Sequence, residues 1–245
     1  MHEGVVEKIR AAGGEVFAIT SEPQHLADRA HEEWALEFEN VGDPHQEISR
    51  TCSERGWLTL YANRGDLAFL QRGADWTLEH PKGFFQPGVL ALTSASHVLY
   101  RWRSVPSDEN MQGTLARPTP NHAWEAIERS LAAGDAAGDA MHDDDPEIDQ
   151  APPPRFIFLG ALIANGWFLG VKSFVYSPGV KSTPSRFATA GLRWLVFLAF
   201  WAAALAFLPT ALVGLASVGW VAWIVRDIRS ALGRMNAQVE LVADR

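Results

Sequence analysis

"LRWLVFLAFWAAALAFLPTALVGLASVGWVAWIVRDIR", residues 192–229, decides how this chain is built. From Trp194 to Val225 there is no ionisable residue, an uncharged run of 32 positions. About 20 apolar residues cross a hydrocarbon core of about 30 Å. The run is too long for one upright span, and Leu208-Pro209-Thr210 interrupts it near the middle. The pattern predicts a transmembrane helical hairpin with two short legs, about 194–208 and 211–225. A single tilted helix kinked at Pro209 is one alternative, and a buried helical pair of a soluble protein is another. Trp194, Trp201, Trp220 and Trp223 lie towards the leg ends, as in interfacial aromatic belts.

The flanks bear on orientation. Lys172, Lys181, Arg186 and Arg193 precede the run, and Arg226, Arg229 and Arg234 follow it. Positive flanks stay on the cytoplasmic side, so two spans would place both ends there. The expected location is the cell inner membrane, multi-pass, with the N-terminal domain facing the cytoplasm. Upstream, "FIFLGALIANGWFLGVKSFVY" (156–176) is apolar up to Lys172. It reads as a marginal third span, a re-entrant segment or an interfacial helix. A third span would require export of the N-terminal domain, and "MHEGVVEKIR" has no apolar signal-peptide core; two spans are expected.

Between the two halves lies "GDAAGDAMHDDDPEIDQAPPP" (134–154), with seven acids and no Lys or Arg. Small, acidic and Pro-rich composition cannot bury enough apolar surface to order itself, so a linker is expected. A calcium loop is the alternative, but no Asp-x-Asp-x-Asp-Gly pattern is present. The expected division is a domain over 1–133, the linker, a membrane segment over 155–230 and a C-terminal tail over 231–245. Net charge is −8, which argues against a nucleic-acid partner, because phosphate binding needs clustered Lys and Arg. Cys52 is the single cysteine, so the chain can form neither an internal disulfide nor a Cys-based zinc site.

Residues 1–133 alternate helix and strand. "VVEKIRAAGGEVFAIT" reads as a helix end, a Gly13-Gly14 stop and a strand over 15–20. "EPQHLADRAHEEWAL" (22–36) places Leu26, Ala30 and Trp34 at helical spacing. An extended piece over 37–41 leads to Asp43-Pro44, which opens a helix ending at Gly56. Residues 57–85 are mixed and read as loop plus a short helix. "QPGVLALTSASHVLYRWRS" is the clearest hairpin, strands 88–93 and 97–103 about the turn Thr93–Ser96. "PTPNHAWEAIERSLAAG" gives a helix with Asn121 as N-cap and Ala123, Ile127 and Leu131 inward.

This order, ending strand-turn-strand-helix, is α/β and resembles the closing half of a thioredoxin-like fold. "GGEVFAITSEP", "FENVGDPHQEISRTCSERG", "HPKGFFQPGVLALTSASHVLYRWRS" and "ARPTPNHAWEAIERSL" resemble successive segments of the peroxiredoxin-like branch of the alkyl hydroperoxide reductase/thiol-specific antioxidant superfamily. The resemblance covers about residues 4–131 and leaves out the membrane half. It implies thiol-dependent peroxide or disulfide reduction, no cofactor, and a thiol reductant protein as partner beside the lipid bilayer. It also implies an incomplete domain: the family's first strand and reactive cysteine precede the segment matched by "EVFAIT". Two expectations stand. Either that strand and cysteine lie upstream of Met1, or the chain is a non-catalytic, membrane-tethered interaction module. A third places the function in the apolar segment, with the N-terminal domain regulatory.

Cys52 falls mid-helix, where the pKa depression given by a helix N-terminus is lost, so a packing role is expected ahead of a redox one. Pro87 matches the family's cis-proline turn beside the active site, and Arg117 is a candidate anion-binding guanidinium on that face; both are substrate-face candidates. The alternatives are a strand-initiating proline and a surface ion pair. Trp102 and Trp124 read as core. "HEEWALE" lacks the second His of a zinc-protease helix, and His25 and His31 are six apart, so no metal site is expected.

Overall fold

The computed structural model describes residues 4–65, 79–107, 113, 117–134, 138–148, 154–172, 183–236 and 239–242. The chain divides into two compact units: Met1–Gly65 with Leu78–Pro152 and Ala237–Arg245, and Asp66–Thr77 with Pro153–Asn236.

The first unit is mixed α/β. Helix α1 (Val5–Ala11) stops where Gly13 takes a positive φ of 82° and Gly14 N–H turns back to Ile9 O. Strand β1 (Phe17–Thr20), helix α2 (Gln24–Trp34) and strand β2 (Glu39–Gly42) form a parallel βαβ unit, in register from Phe17↔Glu39 to Thr20↔Gly42. Leu26, Ala27 and Ala30 of α2 are buried, whereas Trp34 is exposed. Buried Asn40 ties the layers together, its Nδ2 donating to Ala27 O at 2.8 Å. Among the described residues β1 pairs on one edge only, and its Phe17 and Ile19 are exposed. Helix α3 (Glu47–Glu54) follows. Strands β3 (Tyr61–Asn63) and β4 (Phe84–Phe85) then pair antiparallel, where loop and helix were expected; residues 66–78 lie outside the described part.

The hairpin is strands β5 (Gly88–Leu92) and β6 (Val98–Arg103), with Val98, Tyr100 and Trp102 buried. Helix α4 (Pro120–Ala133) is capped by Thr119, whose Oγ1 accepts from His122 N, and not by Asn121. Pro120 at the first helical position fixes that boundary. The register turns Trp124 into the core and leaves Leu131 exposed. Across the described residues the strands make three small sheets, β1-β2, β5-β6, and β4-β3-β7, where β7 is Val239–Leu241.

The expected linker over 134–154 is corrected where it is described. Residues 138–148 are not a free linker. Ala140 N donates to Val98 O, Val98 N to Asp139 Oδ1 (2.7 Å), Asp143 N to Arg101 O, and Thr119 N to Glu147 O. The acidic segment thus occupies the open edge of β6, where backbone groups need partners. The C-terminal tail is likewise structured: β7 pairs antiparallel with β3, and Val242 N donates to Leu60 O.

The second unit is helical. Helix α6 (Thr183–Phe207) and helix α7 (Thr210–Asn236) have 25 and 27 residues. They are two helices broken at Leu208-Pro209, not one kinked helix. They are also longer than the uncharged run, because charged residues at the outer ends continue each helix. Phe197 and Trp220, equally far from the break, meet with ring centroids 4.9 Å apart, so the legs run antiparallel. Ser185–Phe207 and Thr210–Gly233 are long and apolar enough to cross a membrane, and only 6% and 11% of their most apolar windows are buried. That exposure contradicts a pair buried inside a soluble core.

The marginal segment is a short helix, α5 (Arg155–Asn165), followed by a tight loop. Eleven residues rise about 16 Å, half a hydrocarbon core. Side chains of α6 and α7 bond the backbone of α5 and of the loop. Trp194 Nε1 donates to Gly160 O (3.0 Å), Trp220 Nε1 to Phe168 O (2.8 Å) and Trp223 Nε1 to Leu169 O (3.0 Å). Asp227 Oδ2 accepts from Val171 N at 2.7 Å, and Arg193 donates to Asn165 Oδ1 at 2.9 Å. Phe168, with a φ of 63°, stacks on Phe197 at 3.8 Å. A Cβ on Gly166 would overlap the Gly170 carbonyl, so only glycine closes this turn.

Candidate functional site

The parallel strands β1 and β2 end side by side at Thr20 and Gly42, and the residues that follow carry the polar chemistry. Ligands commonly bind beyond the carboxyl ends of parallel strands. After β2, buried Asp43 caps α3: Oδ1 accepts from Glu47 N (2.6 Å) and Ile48 N, and Oδ2 from Ser49 N and Ser49 Oγ, both 3.0 Å. A carboxylate at a helix start satisfies otherwise unpaired N–H groups. After β1, Ser21 Oγ accepts from Phe85 N at 3.4 Å and is hydrogen-bonded to His80 Nδ1 at 2.8 Å. His80 Nε2 lies 3.7 Å from Glu22 Oε1.

Serine, imidazole and carboxylate in that order match a nucleophile relay, but Ser21 is only 5% exposed. The trio is a clamp joining the β1 end to β4. Burial holds His80 well below the usual imidazole range, at about 4, so the ring is neutral. Burial pushes the Glu22 carboxyl up. The His80 ring lies against Phe84, centroids 3.5 Å apart.

Next to the clamp opens a cleft of about 270 Å³ lined by His45, Gln46, Arg50, Arg64, His80 and Lys82, together with Pro81, Gly83 and Val242. Gln46 Nε2 donates to Lys82 O at 3.0 Å, fixing the start of α3 to the opposite wall. Arg64 faces Glu240 of β7 at 3.5 Å, and its buried Nε has no partner among the described residues. Three permanent cations and two histidines therefore line the cleft, with no acid among the described lining residues.

Cys52 lies on α3, half-buried. Burial pushes its thiol up, Asp43 adds to the rise and Arg55 opposes it. A raised pKa means little thiolate, the opposite of what a peroxide-attacking cysteine needs. Pro87 lies elsewhere, just before β5; its peptide bond is trans and its carbonyl accepts from Ser104 N. Arg117 is exposed, beside the bridge Pro118↔Ile148. The hydrogen bonds and ring contacts described bring Cys52, Pro87 and Arg117 into no common site.

The comparisons with known proteins come out empty. No family model matches this chain. No curated protein and no solved structure matches it either. The sequence reading missed the cleft because its residues come from three separated stretches, 45–50, 64 and 80–83, plus Val242. No local pattern marks it: residues 37–55 carry five acids against His45, Arg50 and Arg55.

Proposed function

We propose that the protein is a membrane-anchored α/β module that works by binding and not by thiol chemistry. What carries this reading is the pair α6 and α7, whose most apolar windows are only 6% and 11% buried. In a bilayer those side chains find their apolar surroundings. The irregular backbone at 166–172 is tolerable there because indole N–H groups and Asp227 satisfy it. Strand β7, which follows α7, returns to pair with β3 of the first unit. That return favours an even number of crossings, and the positive flanks favour a cytoplasmic first unit.

A thioredoxin-like ancestry has support in the β1-α2-β2 unit followed by the β5-β6 hairpin and α4. Peroxide reduction finds none in Cys52. The test has two arms. Membranes carrying the protein are washed with alkaline carbonate, and the protein is expected to stay in the pellet; its release into the supernatant would overturn the anchor. Purified protein is exposed to hydrogen peroxide, and Cys52 is expected to react no faster than free cysteine. Rapid consumption lost in Cys52→Ser would overturn the binding reading.

A further inference from the structure

From the cleft beside His80 we infer a binding site for a small phosphate-bearing ligand, with Arg64 and Lys82 as its principal anchors. Overall the chain carries 29 acids against 21 bases, yet this lining holds Arg50, Arg64 and Lys82 and, among the described residues, no carboxylate. Such a concentration of cations in a concave site focuses potential on an anion. Arg64 supplies a planar fork of donors, the geometry that pairs with phosphate oxygens, and its buried Nε is unpartnered among the described residues. Lys82, just before β4, adds a point charge on the same wall as Arg64, because β4 pairs with β3. That wall is held in place, because Gln46 grips the Lys82 carbonyl and the Ser21–His80 clamp anchors the same loop.

Size narrows the ligand further. At about 270 Å³ the cleft is smaller than a drug-sized pocket and suits a pyrophosphate or a phosphorylated small molecule, not a dinucleotide. The phosphate could belong to a soluble metabolite or to a lipid headgroup; the recognition chemistry is the same.

Glu240 sets the occupancy. It sits 3.5 Å from Arg64 on β7, the strand that follows α7, and Val242 from the same segment lines the cleft. The carboxylate therefore competes with the incoming phosphate for the guanidinium. This extends the reading of the first unit as a binding module, and its failure would leave the membrane anchor standing.

The experiment uses the full chain in nanodiscs of neutral lipid, titrated with pyrophosphate by calorimetry. The expected result is saturable binding, weakened roughly tenfold in Arg64→Gln and in Lys82→Gln. Lys8→Gln, on exposed α1, should bind like wild type. Glu240→Gln should bind several-fold tighter, since the competitor loses its charge. A fold check by circular dichroism accompanies each variant, and Arg64→Lys, which keeps the charge but loses the fork, should fall between wild type and Arg64→Gln. Repeating the titration in nanodiscs with anionic phospholipid separates the sources. Competition there identifies a headgroup, and unchanged affinity identifies a soluble ligand. No saturable binding in wild type, or equal affinity in Arg64→Gln, Lys82→Gln and Lys8→Gln, would overturn the site.

Discussion

Two stretches of irregular chain, 138–148 and 166–172, are held in place by different chemistry. The first, acidic and polar, is fastened by groups that titrate. Tyr100 Oη donates to Asp143 Oδ2 at 2.8 Å, and His122 Nε2 meets the same oxygen at 2.7 Å. Burial pushes the Asp143 carboxyl up, but the bonds from His122, Tyr100 and Asp145 N pull it further down, leaving it below the usual carboxylate range. The second stretch is fastened by two indole N–H groups, which never titrate, and by Asp227 accepting from Val171 N. A segment in water can use charge, because protonation is reversible and hydration always available. A segment among apolar helices does better with neutral donors, since an unpaired charge there costs far more than an unpaired amide.

The comparison can be broken in several places. The largest effect is expected from Gly166→Ala, where overlap with Gly170 O forces the loop apart and costs about 3 kcal/mol. Unfolding of the second unit, followed by tryptophan fluorescence in micelles, would read this loss. A wild-type midpoint would show that the turn is not needed.

Nearly as large is the acid sensitivity of the first unit. His80 is held at about 4 against an ordinary 6.5, so the unfolded chain takes up the proton first. Stability is therefore full above about pH 6.5 and falls as pH drops towards 4, by up to about 3 kcal/mol. The raised Glu22 carboxyl works in the opposite sense and offsets part of the loss. Urea midpoints across pH should show this slope in wild type and a much shallower one in His80→Asn. Equal slopes would remove the clamp from the account.

Asp143→Ala comes next, leaving Tyr100 and His122 without their acceptor at a cost of about 2 kcal/mol. In wild type the depressed carboxyl holds its contribution above about pH 3.8 and loses it as pH falls further. Hydrogen exchange at the Val98 and Ala140 amides should quicken in the variant, while the amide of Val171 stays protected. Uniform loss of protection in both stretches would mean that they are not independently held. The smallest effect is expected at Trp223, whose exposed indole bond to Leu169 O is worth about 1 kcal/mol; Trp223→Phe should cost less than Trp220→Phe.

Legibility in the sequence followed the range of the forces involved. The β5-β6 hairpin was readable because Val98, Tyr100 and Trp102 alternate with Leu99, Arg101 and Arg103, a purely local pattern. The break at Pro209 was readable for the same reason. The acidic segment was not, because its partners on β6 and α4 lie far off in the chain and composition says nothing of them. Strand β7 offered three unremarkable residues, Val239, Glu240 and Leu241, whose pairing depends on β3. The true start of α6 was hidden because a charged residue ends an uncharged run without ending a helix. In the candidate site, the Ser21–His80 bond and the Arg64–Glu240 pair exist only in three dimensions.

The anchor itself is tested most directly by sidedness. In a Cys52→Ser background, single cysteines at exposed Ala133 and at Leu208, in the break between α6 and α7, would be labelled with a membrane-impermeant maleimide in sealed vesicles. The account predicts that the two react from opposite faces of the membrane. Labelling of both from the same face would contradict a hairpin that crosses twice.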